Sequence, residues 1–160
     1  MSKTHIRPVT RMAVPVLVCL GLLVAAPLAQ ASDASLKRAV KPYVARLTAD
    51  ISYLSNFPVP SKTGAATVLR RLSKIRNDLS GATRAVKDNQ GSTTSGRKGR
   101  ALALSALGDA TTATGDARSC ATAVRAGHRS AAKSDQRHEQ REINKAISQF
   151  ETAGKLLHLF

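Results

Sequence analysis

The chain contains no tryptophan, and its other aromatic residues are two tyrosines and three phenylalanines. Tyr43, Tyr53, Phe57, Phe150 and Phe160 are too scattered to form a platform on which bases stack, which argues against sequence-specific nucleic-acid recognition. Acid is scarce as well: 10 Asp and Glu stand against 25 Lys and Arg, a formal net charge of +15. Such an excess draws the protein towards anionic polymers and surfaces. Cysteine appears twice, as Cys19 and Cys120, and only Cys120 lies outside the amino-terminal apolar run. Once that run is removed, an internal disulfide is excluded and packing alone must stabilise the fold. Large apolar residues are thin too. Beyond residue 31, Leu, Ile, Val and Phe make up 25 of 129 residues, a share at which high net charge begins to oppose folding. One small domain is the ceiling. No alternating apolar pattern and no β-branched run follows residue 31, so nothing predicts a sheet.

Long apolar runs are confined to the amino terminus. Lys3, Arg7 and Arg11 precede an uncharged apolar stretch over 12–29, and Ala29-Gln30-Ala31 places small residues where a signal peptidase requires them. The expectation is a signal peptide over 1–31, a secreted or cell-envelope protein starting at Ser32, and a single domain over 32–160 with no membrane span left. An uncleaved anchor fits less well, because Pro15, Gly21 and Pro27 interrupt the run. Cys19 follows Val18 and lies too early for a lipid-attachment motif. Without paired arginines the chain is exported unfolded, so no cofactor loaded in the cytoplasm is expected. Removing Lys3, Arg7 and Arg11 leaves 22 basic and 10 acidic residues, a charge of +12.

What is present in quantity is helical periodicity. Leu36, Val40, Tyr43, Leu47, Ile51 and Leu54 recur at three- and four-residue steps and predict a first helix, kinked or broken at Pro42 because proline lacks the amide donor. Asn56-Phe57-Pro58-Val59-Pro60-Ser61 ends it, and Ser61 or Thr63 is placed to cap the next. Ala65, Val68, Leu72, Ile75, Leu79, Ala82 and Val86 mark a second helix over 63–89. A polar tract over 89–96 reads as a loop. A third helix over 97–126 has a face of small residues, Ala103, Leu107, Ala110, Thr114, Ala117, Ala121 and Val124, and Gly127 terminates it. Ile143, Ile147, Phe150, Gly154 and Leu157 carry a fourth. Short connections between four helices predict an all-α, up-down-up-down four-helix bundle. Between Gly108 and Glu142 the only large aliphatic residue is Val124, so one end of the bundle should be lean and open first.

The search for chemistry yields little. His128, His138 and His158 stand in no metal-binding or haem-attachment spacing. His138 and Glu142 lie one turn apart beside Glu139, which reads as a solvated helix face, and no metal is expected. Cys120 shares a face with Ala117 and Val124 and reads as a buried thiol, with an intermolecular disulfide as the alternative. Asp109 and Asp116 are two turns apart, roughly 10 Å, and do not form a catalytic pair. Gly91, Gly96 and Gly99, with Arg97, Lys98 and Arg100, superficially suggest a phosphate cradle, but a flexible basic loop explains them better.

The one unusual pattern is a ladder of cations at four-residue intervals: Arg125, Arg129, Lys133, Arg137, Arg141 and Lys145. Like charges one turn apart oppose a helix by about 0.2–0.5 kcal/mol per pair, and only Glu142 stands near a member, Lys145. These six are the candidate anion-binding residues. No catalytic residue is assigned. The reading is a noncatalytic secreted cationic protein that binds an anionic surface or polymer, such as a cell-wall polymer, anionic lipid or extracellular nucleic acid. A secreted protein-interaction bundle or homo-oligomer is the first alternative, and an all-helical enzyme the second.

Overall fold

In the computed structural model the described residues are 31–159, and residues 1–30 of the expected signal peptide lie outside them. Four helices follow one another: α1 (Ala31–Ser55), α2 (Ala65–Asp88), α3 (Thr94–Ala126) and α4 (Arg129–Leu156). No strand occurs among the described residues, and the fold is all-α as expected. No helix among them is long and apolar enough to cross a membrane.

The apolar seams meet in one core. Leu36, Val40, Leu47 and Leu54 of α1 pack with Leu72, Ile75, Leu79 and Val86 of α2, Leu107 of α3, Ile143 of α4 and Leu157 just past its end. Each such side chain contributes about 1.5–3 kcal/mol on full burial. The most extensive interface is α3 with α4, followed by α2 with α3, whereas the backbones of α2 and α4 do not approach each other. Alanine explains the first: α3 buries Ala103, Ala106, Ala110, Ala113, Ala117 and Ala121, and α4 buries Ala132, Ala146 and Ala153. Small side chains let the two backbones run close together.

Three expectations need correction. Of the kink or break expected at Pro42, the break does not occur, and α1 runs through it. Pro42 and Arg38, whose carbonyl loses its helical donor, both lie on the exposed side, where water can satisfy the freed oxygen. α2 begins at Ala65 rather than 63, with Gly64 at the cap and no side-chain cap bond. Ser61 instead accepts from the Gly64 amide through its Oγ at 3.1 Å.

The third correction concerns the supposed basic loop. α3 starts at Thr94, so Gly96, Arg97, Lys98, Gly99 and Arg100 are its first turns. The Thr93 side chain caps it by accepting from the Gly96 amide at 2.8 Å. Asp33 of α1 occupies the same helix end: the Ser92 amide donates to Oδ1 at 2.7 Å and the Thr93 hydroxyl to Oδ2 at 2.6 Å. A Cβ at Gly96 would collide with that carboxylate. The Thr93 hydrogen bond, foremost, holds the Asp33 carboxyl below its ordinary value. The positive end of α3 thus has an internal anion, and a phosphate cradle is excluded there. Arg100 turns back onto α2, donating through Nε to Val86 and Asn89 oxygens at 3.0 and 2.9 Å and through Nη2 to Lys87 O at 2.9 Å. It supplies donors that the last turn of α2 lacks.

Candidate anion-binding face

The end of α3 divides the ladder. Gly127 adopts φ 87°, a left-handed conformation that suits glycine, and His128 N donates to Ala123 O at 2.8 Å. Arg125 is therefore in the last turn of α3, where its charge favours the helix dipole, and the other five cations belong to α4. All six are exposed.

Polar pairs mark the register of α4 against α3. Lys145 Nζ donates to Asp109 Oδ1 at 2.9 Å, and His138 Nδ1 lies 2.5 Å from Asp116 Oδ2. Successive partners step in opposite directions, so the two helices are antiparallel. Ala132, Glu139, Ile143 and Ala146 then face inward. Lys133, Arg137 and Arg141 face outward with Ser130, Ser134, Gln140 and Asn144, bordering one open, shallow surface.

The ladder members differ in their surroundings. Lys145 also lies 3.9 Å from Glu142, and its hydrogen bond to Asp109 raises its proton affinity above the ordinary lysine value. It belongs to the α3–α4 contact as much as to the ladder. Arg129, Lys133, Arg137 and Arg141 have no ion pair among the described residues. The first turn of α4 holds no acid, and no side chain caps it. Arg129 therefore sits against the positive end of a helix dipole, an arrangement unfavourable by about 0.3–1 kcal/mol. With the repulsion along the ladder, this leaves a line of charge that an external anion would relieve.

Other sequence candidates fall elsewhere. Asp109 and Asp116 each hold a cationic or histidine partner on α4 and are not directed at each other. Cys120 is fully buried, so an intermolecular disulfide would require this part of the fold to open. Burial, then the charges of Asp135 and Glu139, pushes its thiol above the ordinary value, which makes it unreactive. Among the described residues no group of three or more His, Cys, Asp or Glu stands together to hold a metal ion.

Two buried acids escaped the sequence reading. Glu139 is 0% exposed rather than part of a solvated face, because Ile143 one turn on draws this side of α4 into the core. Continuing the apolar seam backwards from Ile143 by four residues lands on it, and that was the available signal. Asp50 of α1 is 5% exposed, with Arg71 3.9 Å away and its Oδ2 unpartnered. Burial, first, and the neighbouring Asp78 raise its carboxyl above the ordinary value. Arg71 also lies over the Tyr53 ring, 5.1 Å from its centroid. Compared with protein-family models, with curated proteins and with solved structures, the chain matches none.

Proposed function

We propose that this chain is a secreted, noncatalytic cationic bundle that binds a linear polyanion along the outer face of α4. In this reading a signal peptide over 1–31 is removed, and the four helices alternate in direction as an up-down-up-down bundle over 32–160. The carrying observation is the exposed line Lys133, Arg137 and Arg141, without an acidic partner among the described residues and flanked by Ser130, Ser134, Gln140 and Asn144. Four-residue steps separate successive cations by about 6 Å along the axis, so a flexible chain of phosphates can follow them. The flanking hydroxyl and amide groups supply further hydrogen bonds to such a ligand.

The same face disfavours two other anionic partners. Membrane insertion calls for apolar side chains beside the cations, and the only exposed large apolar residue among those described is Val59, in the connection between α1 and α2. Base recognition calls for aromatic residues, and α4 carries only the half-buried Phe150. A hydrated polymer such as an anionic wall component fits best.

The test replaces Arg129, Lys133, Arg137 and Arg141 with glutamine, which preserves helix propensity while removing charge. The control places four glutamines at the exposed Lys41, Lys62, Arg76 and Lys98, none of which has an ion pair among the described residues. With linear polyphosphate as the probe, the ladder variant should bind more weakly than the control. Its salt dependence should be shallower by about 3 in the log–log slope, at roughly 0.7 per lost phosphate contact. Equal affinities and slopes in the two variants would reduce the ladder to a solvated face. Stronger retention on anionic vesicles than on polyphosphate would instead favour a lipid surface.

A further inference from the structure

The outward cations of α4 are matched on its inward face by an acid that anion binding does not use. Glu139 is completely buried, and neither carboxylate oxygen has a hydrogen-bond partner among the described residues. The facing stretch of α3 buries Ala113, Thr114, Ala117, Cys120 and Ala121. Thr114, the one hydroxyl among them, donates to Ala110 O at 2.7 Å. A neutral carboxylic acid is tolerated in such surroundings far better than a carboxylate, which would be desolvated with no donor to offset the loss.

We propose that Glu139 is a proton-operated latch of the α3–α4 hairpin, closed while the carboxyl is protonated and loosened at this level when it ionises. The groups around it sustain this behaviour. On α3, Asp116 repels the ionised form while its own Oδ2 contacts His138, and the Cys120 thiol lies within the influence of Glu139. On α4 itself the nearby titratable groups are Asp135, His138 and Glu142, and Lys133, Arg137 and Arg141 face outward. Among the described residues, no charged group of α1 or α2 acts on Glu139. Burial, first, and Asp116, second, raise its carboxyl from 4.5 to about 8.

The direction of the pH effect follows. The unfolded chain releases this proton near the ordinary value, whereas the folded chain keeps it until about pH 8. Folding therefore takes up a proton between those limits, and the stability present below the lower one is lost as pH rises towards the upper. Above it both states are ionised and the dependence levels off. The latch is independent of whether α4 binds a polyanion.

The experiment compares wild type with Glu139→Gln by urea unfolding from pH 5 to 9, with Glu139→Met as a second neutral variant. Groups that do not interact with Glu139 contribute equally to wild type and variants and cancel, so the difference reports Glu139 together with its interaction with Asp116. The unfolding constant of wild type should rise between pH 5 and 8 by roughly 400-fold more than that of either variant. Amide exchange in one sample gives a local readout, with protection over 132–146 taken relative to 67–86 so that intrinsic pH effects cancel. That ratio should fall with rising pH in wild type alone. Parallel pH profiles in wild type and the variants would overturn the latch. Failure of both neutral variants to fold would overturn it equally, because the carboxyl would then be a structural requirement rather than a tolerated burden.

Discussion

α2 and the amino-terminal half of α4 are both amphipathic helices on the rim of the same core, yet they are held by different means. α2 buries Leu72, Ile75, Leu79, Ala82 and Val86, a large or medium apolar side chain at nearly every turn. Over its first half α4 buries only Ala132 and Glu139. What keeps this half of α4 in place is close approach to an equally small-faced α3, with polar pairs such as Asp116–His138 at the margin. Apolar area secures one helix and backbone proximity the other. The second arrangement has less to lose on opening and carries a buried acid that makes opening pH-dependent.

The sharpest way to break this contrast is truncation at the two sites. Ile75→Ala removes a fully buried aliphatic side chain and should cost about 2–5 kcal/mol, the range for such cavities. Ala132→Gly, at the matching buried face of α4, should cost about 1 kcal/mol, mainly through helix propensity. Denaturant midpoints at unchanged m would report both. Equal losses would mean that α4 is packed as firmly as α2 and that small-residue proximity has been undervalued.

Native-state amide exchange sharpens the same contrast without altering the protein. Amides over 67–86 should exchange with a free energy near that of global unfolding, and those over 129–141 should exchange faster through local opening. Measured at about pH 4, below the ordinary glutamate value, where Glu139 keeps its proton in both the closed and the open form, the difference isolates packing from ionisation. Uniform protection across both segments would indicate that the bundle opens as one unit.

The degree to which each region could be read from sequence follows the same division. α2 was legible because Leu72, Ile75, Leu79 and Val86 advertise their face through size, and the structure buries all four. α3 was legible as a small-residue face ending at Gly127, but its start was not. Gly96 and Gly99 read as loop residues, when their lack of a side chain serves close packing against Asp33 and Leu157. A long-range contact of this kind, 59 residues apart for Asp33 and Ser92, leaves no local periodic trace. Glu139 was missed for a related reason, since charge type suggested solvent while its register pointed inward. The candidate site was legible only as a ladder of cations. That Lys145 is committed to Asp109 depended on how α3 and α4 meet, whereas the place of Arg125 on the preceding helix already followed from Gly127 as its terminator.

The smallest effect tests whether the α3–α4 hairpin is limited by local helix stability rather than by packing. Gly115 is exposed within α3, opposite the amino-terminal half of α4, and a Cβ built there meets nothing within 4 Å. Gly115→Ala should therefore stabilise the protein by about 0.5–1 kcal/mol, the entropic penalty of glycine in a helix interior. Gly81 of α2 offers the counterpart, because its Cβ would stand 2.8 Å from Tyr43 Cε1 and the ring would have to shift. The same gain in propensity is there opposed by packing, and Gly81→Ala should be neutral or destabilising. In exchange measurements Gly115→Ala should slow the amides around it on α3 more than those of α2, since a local opening reflects local helix stability most directly. If Gly81→Ala stabilised as much as Gly115→Ala, α2 would be no more tightly packed than the hairpin, and the difference between the two regions would rest on Glu139 alone.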